Sequence, residues 1–180
     1  MNQNSFGRQW IDLLNTVQGI GARRSDALAS SESSERWIRS QALLAPANAL
    51  ESAQAEALRR LRGELYDAAE CLLLGDDGAA LGNLIADRGP FHTERWVSRG
   101  GEGWHLSERL CCEPGDVCTP IVWSCALSLS AGELSRLRRC ANPECVILFI
   151  DESRNGSRQW CSMKACGNRD KVSKWRSRHR

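Results

Sequence analysis

Apolar positions in the first half of the chain recur every three or four residues, the period of an amphipathic helix. This spacing predicts a first helix over residues 4–18 and a second around Trp37 that ends at Pro46. The stretch between them, residues 19–34, is rich in Gly, Ser and Arg and predicts a loop. Its composition offers no apolar stripe for a helix.

A longer helix follows, because Asn48 and Glu51 form a capping box and leucines repeat at helical spacing until Gly75. A shorter helix is predicted over residues 79–87. The stretch Gly100-Gly101-Glu102-Gly103 then separates two short runs, residues 94–99 and 104–109, the pattern of a β-hairpin.

A last apolar helix is predicted at 120–129, because Thr119 and Pro120 suit a helix start. Residues 1–135 are therefore expected to be a mainly α domain with one β-hairpin.

The last 45 residues have a different pattern. Residues 146–150 predict a strand, a turn follows, and 159–160 predict the return strand. The stretch 167–180 can form one basic helix, in which Val172 and Trp175 are expected to pack back on the preceding segment.

Charge separates the same two regions. Residues 136–180 carry twelve Lys or Arg and four acidic residues, a net charge of +8, whereas the remainder is −6. A basic segment on an acidic body indicates a polyanion partner such as nucleic acid, with a merely solvated tail as the alternative. No targeting or membrane-spanning segment is recognised, so a cytoplasmic protein is expected.

Nine cysteines without an export signal argue for metal binding or simple burial instead of disulfides. Four are spaced as two pairs with four residues within each pair, and two such pairs suit a tetrahedral Zn²⁺. Because four thiolates fill every position, one structural zinc per chain is expected, held by Cys140, Cys145, Cys161 and Cys166. The pattern assigns no role to the other five, Cys71, Cys111, Cys112, Cys118 and Cys125.

A cationic helix on a zinc module suits the DNA major groove, where Arg and Asn read base edges, and donors in the preceding turn suit phosphates. The candidate contacts are Arg154, Asn155, Arg158, Asn168, Arg169, Lys171, Lys174, Arg176 and Arg178.

The motifs Trp160-Cys161-Ser162-Met163 and Cys166-Gly167-Asn168-Arg169, together with the first cysteine pair, resemble the CGNR zinc finger, a bacterial family. The N-terminal part is similar to the ABATE domain, a family of stress-induced transcription regulators, through Asp12-Leu13-Leu14-Asn15-Thr16, Asp26-Ala27-Leu28, Trp37 and the Trp104 hairpin. The resemblance implies the same four zinc ligands and a DNA-binding regulator.

We therefore expect an ABATE-like helical domain at 1–135 and a treble-clef-like finger at 136–180 that ends in a basic helix. The finger should depend on zinc for its fold, while the helical domain keeps its own core. The first domain is a candidate sensor or dimerisation unit, with a homodimer and a small-molecule effector as possible partners. Asn15 and Thr16 either line a ligand pocket or bond nearby backbone, and the second reading is favoured.

Double-stranded DNA is the preferred partner. One alternative is an RNA-binding module in which Trp160 or Trp175 stacks on bases, and burial of both would count against it. Another is a protein-interaction adaptor in which zinc is only structural. No set of acid, base and nucleophile is recognised, so an enzyme is not expected.

Overall fold

The structure, a computed structural model, describes residues 8–43, 49–101 and 103–179. Its N-terminal part contains the helices α1 (Gln9–Leu14), α2 (Ser31–Ser40), α3 (Ser52–Leu73), α4 (Ala79–Ala86) and α5 (Thr119–Ser130). Its strands are β1 (Val17–Ile20), β2 (Arg23–Asp26), β3 (His92–Gly100) and β4 (Gly103–Cys111).

The C-terminal part begins after a 3₁₀ turn, Glu133–Arg136. It contains β5 (Leu137–Arg139), β6 (Leu148–Ile150), a π-helical turn at Met163–Gly167 and α6 (Asn168–Arg178). Three antiparallel pairs form, β1 with β2, β3 with β4, and β5 with β6. The predicted fold class is confirmed: a mainly helical N-terminal part precedes a four-cysteine finger and a basic helix.

Trp10 on α1 lies at the centre of the main core. Its side chain is fully buried, its backbone N–H donates to the Ser124 hydroxyl at 3.0 Å, and its indole N–H donates to the Ser128 hydroxyl at 3.1 Å. Both serines belong to α5, so these bonds satisfy the polar groups of the α1–α5 contact. Leucines of α3 complete this core.

The finger contributes to the same core. Leu137, Leu148 and Ile150 from β5 and β6 pack in one cluster with the buried residues of α1 and α3. The four cysteines and Phe149 form a smaller second cluster, against which Ile20 of β1 packs. The strands of the finger therefore have one side on the helical core and the other on the cysteine site.

The first predicted helix is too long. α1 ends at Leu14, and the chain enters β1 at Val17; residues 4–7 of the prediction lie outside the described part. The Thr16 hydroxyl donates to the Leu13 carbonyl at 2.7 Å, a local bond that competes with helix continuation. Gly19 has φ +117°, which only glycine adopts readily.

A second hairpin, β1–β2, occupies part of the predicted loop 19–34. α2 also begins earlier than predicted, because Ser30 and Ser33 form a capping box there. At α3 the observed capping box pairs Glu51 with Gln54, and Asn48 lies outside the described residues. The prediction that 159–160 would pair with the strand at 146–150 is wrong, since β6 pairs with β5.

No helix in the described ranges is long and apolar enough to cross a membrane.

Candidate metal centre and basic helix

The first cysteine pair lies on the turn between β5 and β6. The Cys140 N–H donates to the Ile147 carbonyl at 3.1 Å, and the Cys145 N–H donates to the Asn142 carbonyl at 2.9 Å. The Asn142 side-chain oxygen also accepts from the Glu144 N–H at 3.1 Å. This Asx turn folds the four intervening residues so that both sulfurs point to the same side.

The second pair comes from the segment that leads into α6. Ser162 caps the π-helical turn by accepting from the Ala165 N–H, and the turn brings Cys166 to the start of the helix. The Cys161 and Cys166 sulfurs are 3.7 Å apart, and the Cys145 and Cys161 sulfurs 3.8 Å. All four sulfurs lie within 4.8 Å of one another.

These distances fit zinc. A tetrahedron with Zn–S bonds of about 2.3 Å has S···S edges of about 3.8 Å. Four thiolates complete that tetrahedron, so the ion has a structural role and no open position for a substrate. Within ranges 8–43, 49–101 and 103–179, this is the one group of three or more His, Cys, Asp or Glu side chains placed to hold a metal ion.

The thiols differ in acidity because their neighbours differ. Burial opposes ionisation of Cys140, but N–H donors from Cys161 and Asn142 outweigh it and lower the pKa of this thiol. Burial raises the pKa of Cys145 to about 11, and burial with the neighbouring thiols raises the pKa of Cys161. A divalent cation offsets the electrostatic repulsion among four neighbouring thiolates, so metal binding and folding are coupled.

The turn after β6 is organised by the buried carboxylate of Asp151, a role that sequence reasoning missed. Its two oxygens accept from the Ser153 N–H at 2.8 Å and the Arg158 N–H at 2.9 Å. Bonding to Ser153 is the main reason that the pKa of Asp151 lies below its ordinary value. The Arg136 guanidinium donates to the Asp151 carbonyl at 2.9 Å and so joins the finger to the preceding 3₁₀ turn.

Arg158 lies within the finger. Its guanidinium donates to the Trp160 carbonyl at 2.9 Å and to the Cys161 carbonyl, and it stacks on Phe149 with 4.5 Å to the ring centroid. It therefore supports the loop that carries the second cysteine pair. The other two predicted residues of this turn, Arg154 and Asn155, are exposed at its tip.

α6 carries no buried side chain. The prediction that Val172 and Trp175 pack back on the finger is wrong: they are 47% and 59% exposed, and Trp175 stacks on His179 with 4.6 Å between centroids. The space beside the cysteines is filled instead by Phe149, Ile20, Ile147 and Trp160.

Helical spacing arranges the exposed residues of α6 in rows. Arg169 and Arg176, seven residues apart, form one basic row, and a second contains Lys171, Lys174 and Arg178. Asn168, Val172 and Trp175 lie between the rows.

Two of these exposed residues of α6 already have a polar partner within the protein. Lys174 pairs with Asp170 at 2.8 Å, and the Asn168 amide donates to the Lys164 carbonyl at 3.4 Å.

Asn15 joins the two parts of the molecule. Its side-chain amide donates to the Leu148 carbonyl at 2.8 Å, and its side-chain oxygen accepts from the Leu148 N–H at 3.1 Å. Thr16 accepts from Arg62 at 2.8 Å. A cavity of about 300 Å³ lies nearby between α3 and Val146 of the finger, but neither Asn15 nor Thr16 lines it.

Of the remaining cysteines, Cys125 is buried in the main core and Cys118 is partly buried against it. Burial raises the pKa of Cys118 to about 11 and that of Cys125 to about 12, which makes both thiols unreactive at neutral pH.

Two family models match the chain. The CGNR zinc finger matches residues 136–179, and ABATE, whose description is "Putative stress-induced transcription regulator", matches residues 7–137. Neither is an enzyme family. No match is found among curated proteins. Because the ABATE match covers well over half of the sequence and the four cysteines form a metal site within the finger match, the chain belongs to the ABATE family and carries a CGNR zinc finger with one structural zinc.

Proposed function

We propose that this protein is a transcription regulator that binds double-stranded DNA through α6. The observation that carries the proposal is the arrangement of this helix, in which two basic rows flank Asn168, Val172 and Trp175 and no residue is buried. A helix inserted in the major groove has phosphates on both sides and base edges in front of it. The two rows suit the phosphates and the residues between them suit the bases.

The zinc site positions this helix. Cys166 is the last ligand, and α6 begins two residues later, so the orientation of the helix is set where it leaves the metal. The acidic N-terminal part is proposed to regulate the finger, and an effector would suit the cavity at Val146, where both parts meet. Such a regulator would act in the cytoplasm, where bacterial DNA lies.

Binding to duplex DNA over a salt series tests the proposal. If five cations of α6 neutralise phosphates, log K should fall with log salt at a slope of about −4 to −5. Lys171→Gln and Arg176→Gln should each flatten the slope by about one unit, because each removes one phosphate contact. Arg36→Gln, which changes an exposed arginine of α2, should leave the slope unchanged.

Sequence preference is tested separately, by selection from genomic DNA fragments with the zinc-loaded protein. Asn168→Ala and Arg169→Ala should each reduce the preference for selected over random duplexes by about 1–3 kcal/mol per lost bidentate contact. Zinc content must stay unchanged. If Asn168 instead supports the π-helical turn through Lys164, its replacement will lower zinc content and leave the preference intact.

RNA binding is the second candidate, because Trp175 is exposed and could stack on a base, whereas Trp160 is half-buried in the finger. Tighter binding to single-stranded RNA than to duplex DNA, lost in Trp175→Ala, would favour it. No binding to either nucleic acid at low salt, with zinc fully loaded, would favour the protein-interaction adaptor.

A further inference from the structure

The β3–β4 hairpin is an exposed ribbon. Nine residues of each strand pair from His92–Cys111 to Gly100–Gly103. Its base is held by Leu110, which is buried, and by Phe91, whose ring lies 5.4 Å from that of Trp123 on α5. Beyond the base, Val97, Trp104 and Leu106 are 63%, 72% and 68% exposed. Two strands alone are marginally stable in water, so exposed apolar side chains along them indicate a partner.

Three of the four exposed large apolar side chains of β3 and β4, those of Val97, Trp104 and Leu106, share one face of the ribbon, whereas Trp96, which is 45% exposed, lies on the other. Residues directly opposite each other in an antiparallel pair project to the same side, and the side alternates along each strand. Val97 pairs with Leu106, and Arg99 pairs with Trp104. These two rows, with the Arg95–Glu108 row nearer the base, form a surface that we call the apolar face. Trp96 projects to the opposite face, where Ser98 and Ser107 are also found.

Each row of the apolar face consists of two residues that suit each other, so the same row of a second copy, turned round, would fit on it. Arg95 donates to Glu108 at 3.1 Å, and Arg99 lies 6.0 Å from the ring centroid of Trp104. A two-fold axis parallel to the strands would place β3 of one copy over β4 of the other. Arg95 would then face Glu108, Val97 would face Leu106, and Arg99 would face Trp104 of the second copy. Each arginine would then contact either a carboxylate or an aromatic ring, and the two apolar side chains would contact each other.

Net charge also favours a second copy over nucleic acid. Residues 92–111 contain three arginines and three glutamates, so the ribbon is neutral, whereas the finger is +8. A hairpin that enters a DNA groove would need a clear excess of cations. A neutral ribbon with paired charges has no such excess and no long-range repulsion against its own copy.

The size of the face sets the strength of the contact. The three rows of the apolar face span five residues of each strand, about 17 Å, and two stacked faces of that length would bury on the order of 600 Å² in total, below the range of stable interfaces, which fits a weak contact. We propose that the protein forms a two-fold homodimer by stacking the apolar faces of its β3–β4 hairpins, with Val97 of each copy on Leu106 of the other. The dimer is weak, with a dissociation constant on the order of micromolar.

Sedimentation velocity of the zinc-loaded full chain, from about 1 to 200 µM, tests the association. A rise from monomer to dimer over this range is expected. A monomer at every concentration would overturn the proposal and leave the apolar face to another partner.

Two complementary variants test the register. Val97→Arg and Leu106→Glu should each weaken self-association about 100-fold, because each places two uncompensated charges against apolar groups in the homodimer. Mixed in equal amounts, the two variants should dimerise again, since Arg at 97 of one faces Glu at 106 of the other and the second Val97–Leu106 contact stays intact. Native mass spectrometry identifies the mixed dimer. Failure of the mixture to associate would overturn the two-fold register.

Trp96→Arg is the matched control, because it adds the same charge at the neighbouring position on the opposite face. It should leave self-association unchanged; equal weakening by Trp96→Arg and Val97→Arg would overturn the assignment of the face. Trp104→Ser, which adds no charge, should weaken the dimer as well. Far-ultraviolet circular dichroism shows whether each variant is folded, and the exposure of these positions, 45% at Trp96 and 63% to 72% at the other three, predicts that it is.

Discussion

Asn15 takes the place of a strand residue at the contact between the ABATE part and the finger. Its side-chain amide bonds both backbone groups of Leu148, which a neighbouring strand would otherwise satisfy. Leu148 is fully buried, so these groups have little access to water. An amide suits the position because it carries one donor and one acceptor in the same plane.

Asn15→Ala should therefore destabilise the zinc-loaded protein by about 2–4 kcal/mol, since it leaves a buried donor and a buried acceptor without partners. Asn15→Asp should be as harmful, because a carboxylate cannot donate to the Leu148 carbonyl. Urea unfolding followed by circular dichroism measures both. Asn155→Ala, at an exposed turn, should change stability by less than about 0.5 kcal/mol, and an equal effect at both positions would contradict this role of Asn15.

At the scale of elements, the sequence predicts those helices and strands that have a regular apolar pattern of their own. α3, α5 and the β3–β4 hairpin were predicted because each has a regular apolar pattern or a clear turn. β2 consists of Arg23, Arg24, Ser25 and Asp26, a polar run that no strand pattern identifies. It forms because Asp26 bonds Arg62 on α3, and a contact between residues 36 positions apart in the sequence leaves no local pattern.

The pairing of β5 with β6 was missed for a similar reason, although the cysteine cluster was predicted from spacing alone. β5 is three residues long and reads Leu-Arg-Arg, too short for a periodic signal. Its place is decided by Leu137, which enters the core of the ABATE part, and by Cys140, which ends the strand at the metal site. Spacing identifies ligands, whereas strand partners depend on the whole fold.

The Asp26–Arg62 pair predicts a pH dependence at this element. Arg62 donates to both carboxylate oxygens, at 2.6 and 2.8 Å, and these bonds are the main reason that the pKa of Asp26 lies below its ordinary value of 3.8. Because the folded pKa is the lower one, the stabilisation is complete above pH 3.8 and is lost as the pH falls through the folded pKa.

The difference in unfolding free energy between the native protein and Asp26→Asn should therefore be constant above about pH 5 and shrink below about pH 4. Urea unfolding at several pH values measures it. Asp87→Asn, at an exposed residue that directly follows α4, should follow the native protein throughout. A difference that persists unchanged at low pH would show that the ion pair does not stabilise β2.

At the scale of the whole molecule, the division into residues 1–135 and 136–180 stays a prediction, and several contacts cross it. Ile20 of β1 forms a β-bridge with Cys145, and the Gly21 N–H donates to the Glu144 carbonyl at 3.4 Å. Arg139 of β5 bonds Glu70 and Tyr66 on α3. The first cysteine pair is thus held on both sides by the ABATE part.

These contacts change what zinc removal should do. If the finger folded independently, zinc removal would unfold it and leave the helices as stable as before. Here Leu148 and Ile150 belong to the helical core, so chelation should also lower the melting temperature of the helical signal. An unchanged melting temperature after complete zinc loss would show that the two parts are independent.

Cys161→Ser should act like the chelator and reduce the zinc content from one ion per chain, as measured by elemental analysis. Cys71→Ser, at an exposed cysteine of α3, should keep both zinc and melting temperature.

The exposure of α6 bears on how proteins of this family could diverge. Each side chain from Asn168 to Arg178 lies outside both hydrophobic clusters, while Cys166 and Gly167, directly before it, are buried. If α6 binds DNA as proposed, substitutions along the helix would change the recognised sequence without disturbing the core. A duplicated gene would then acquire a new target through this one helix while its zinc site and its ABATE part stay as they are.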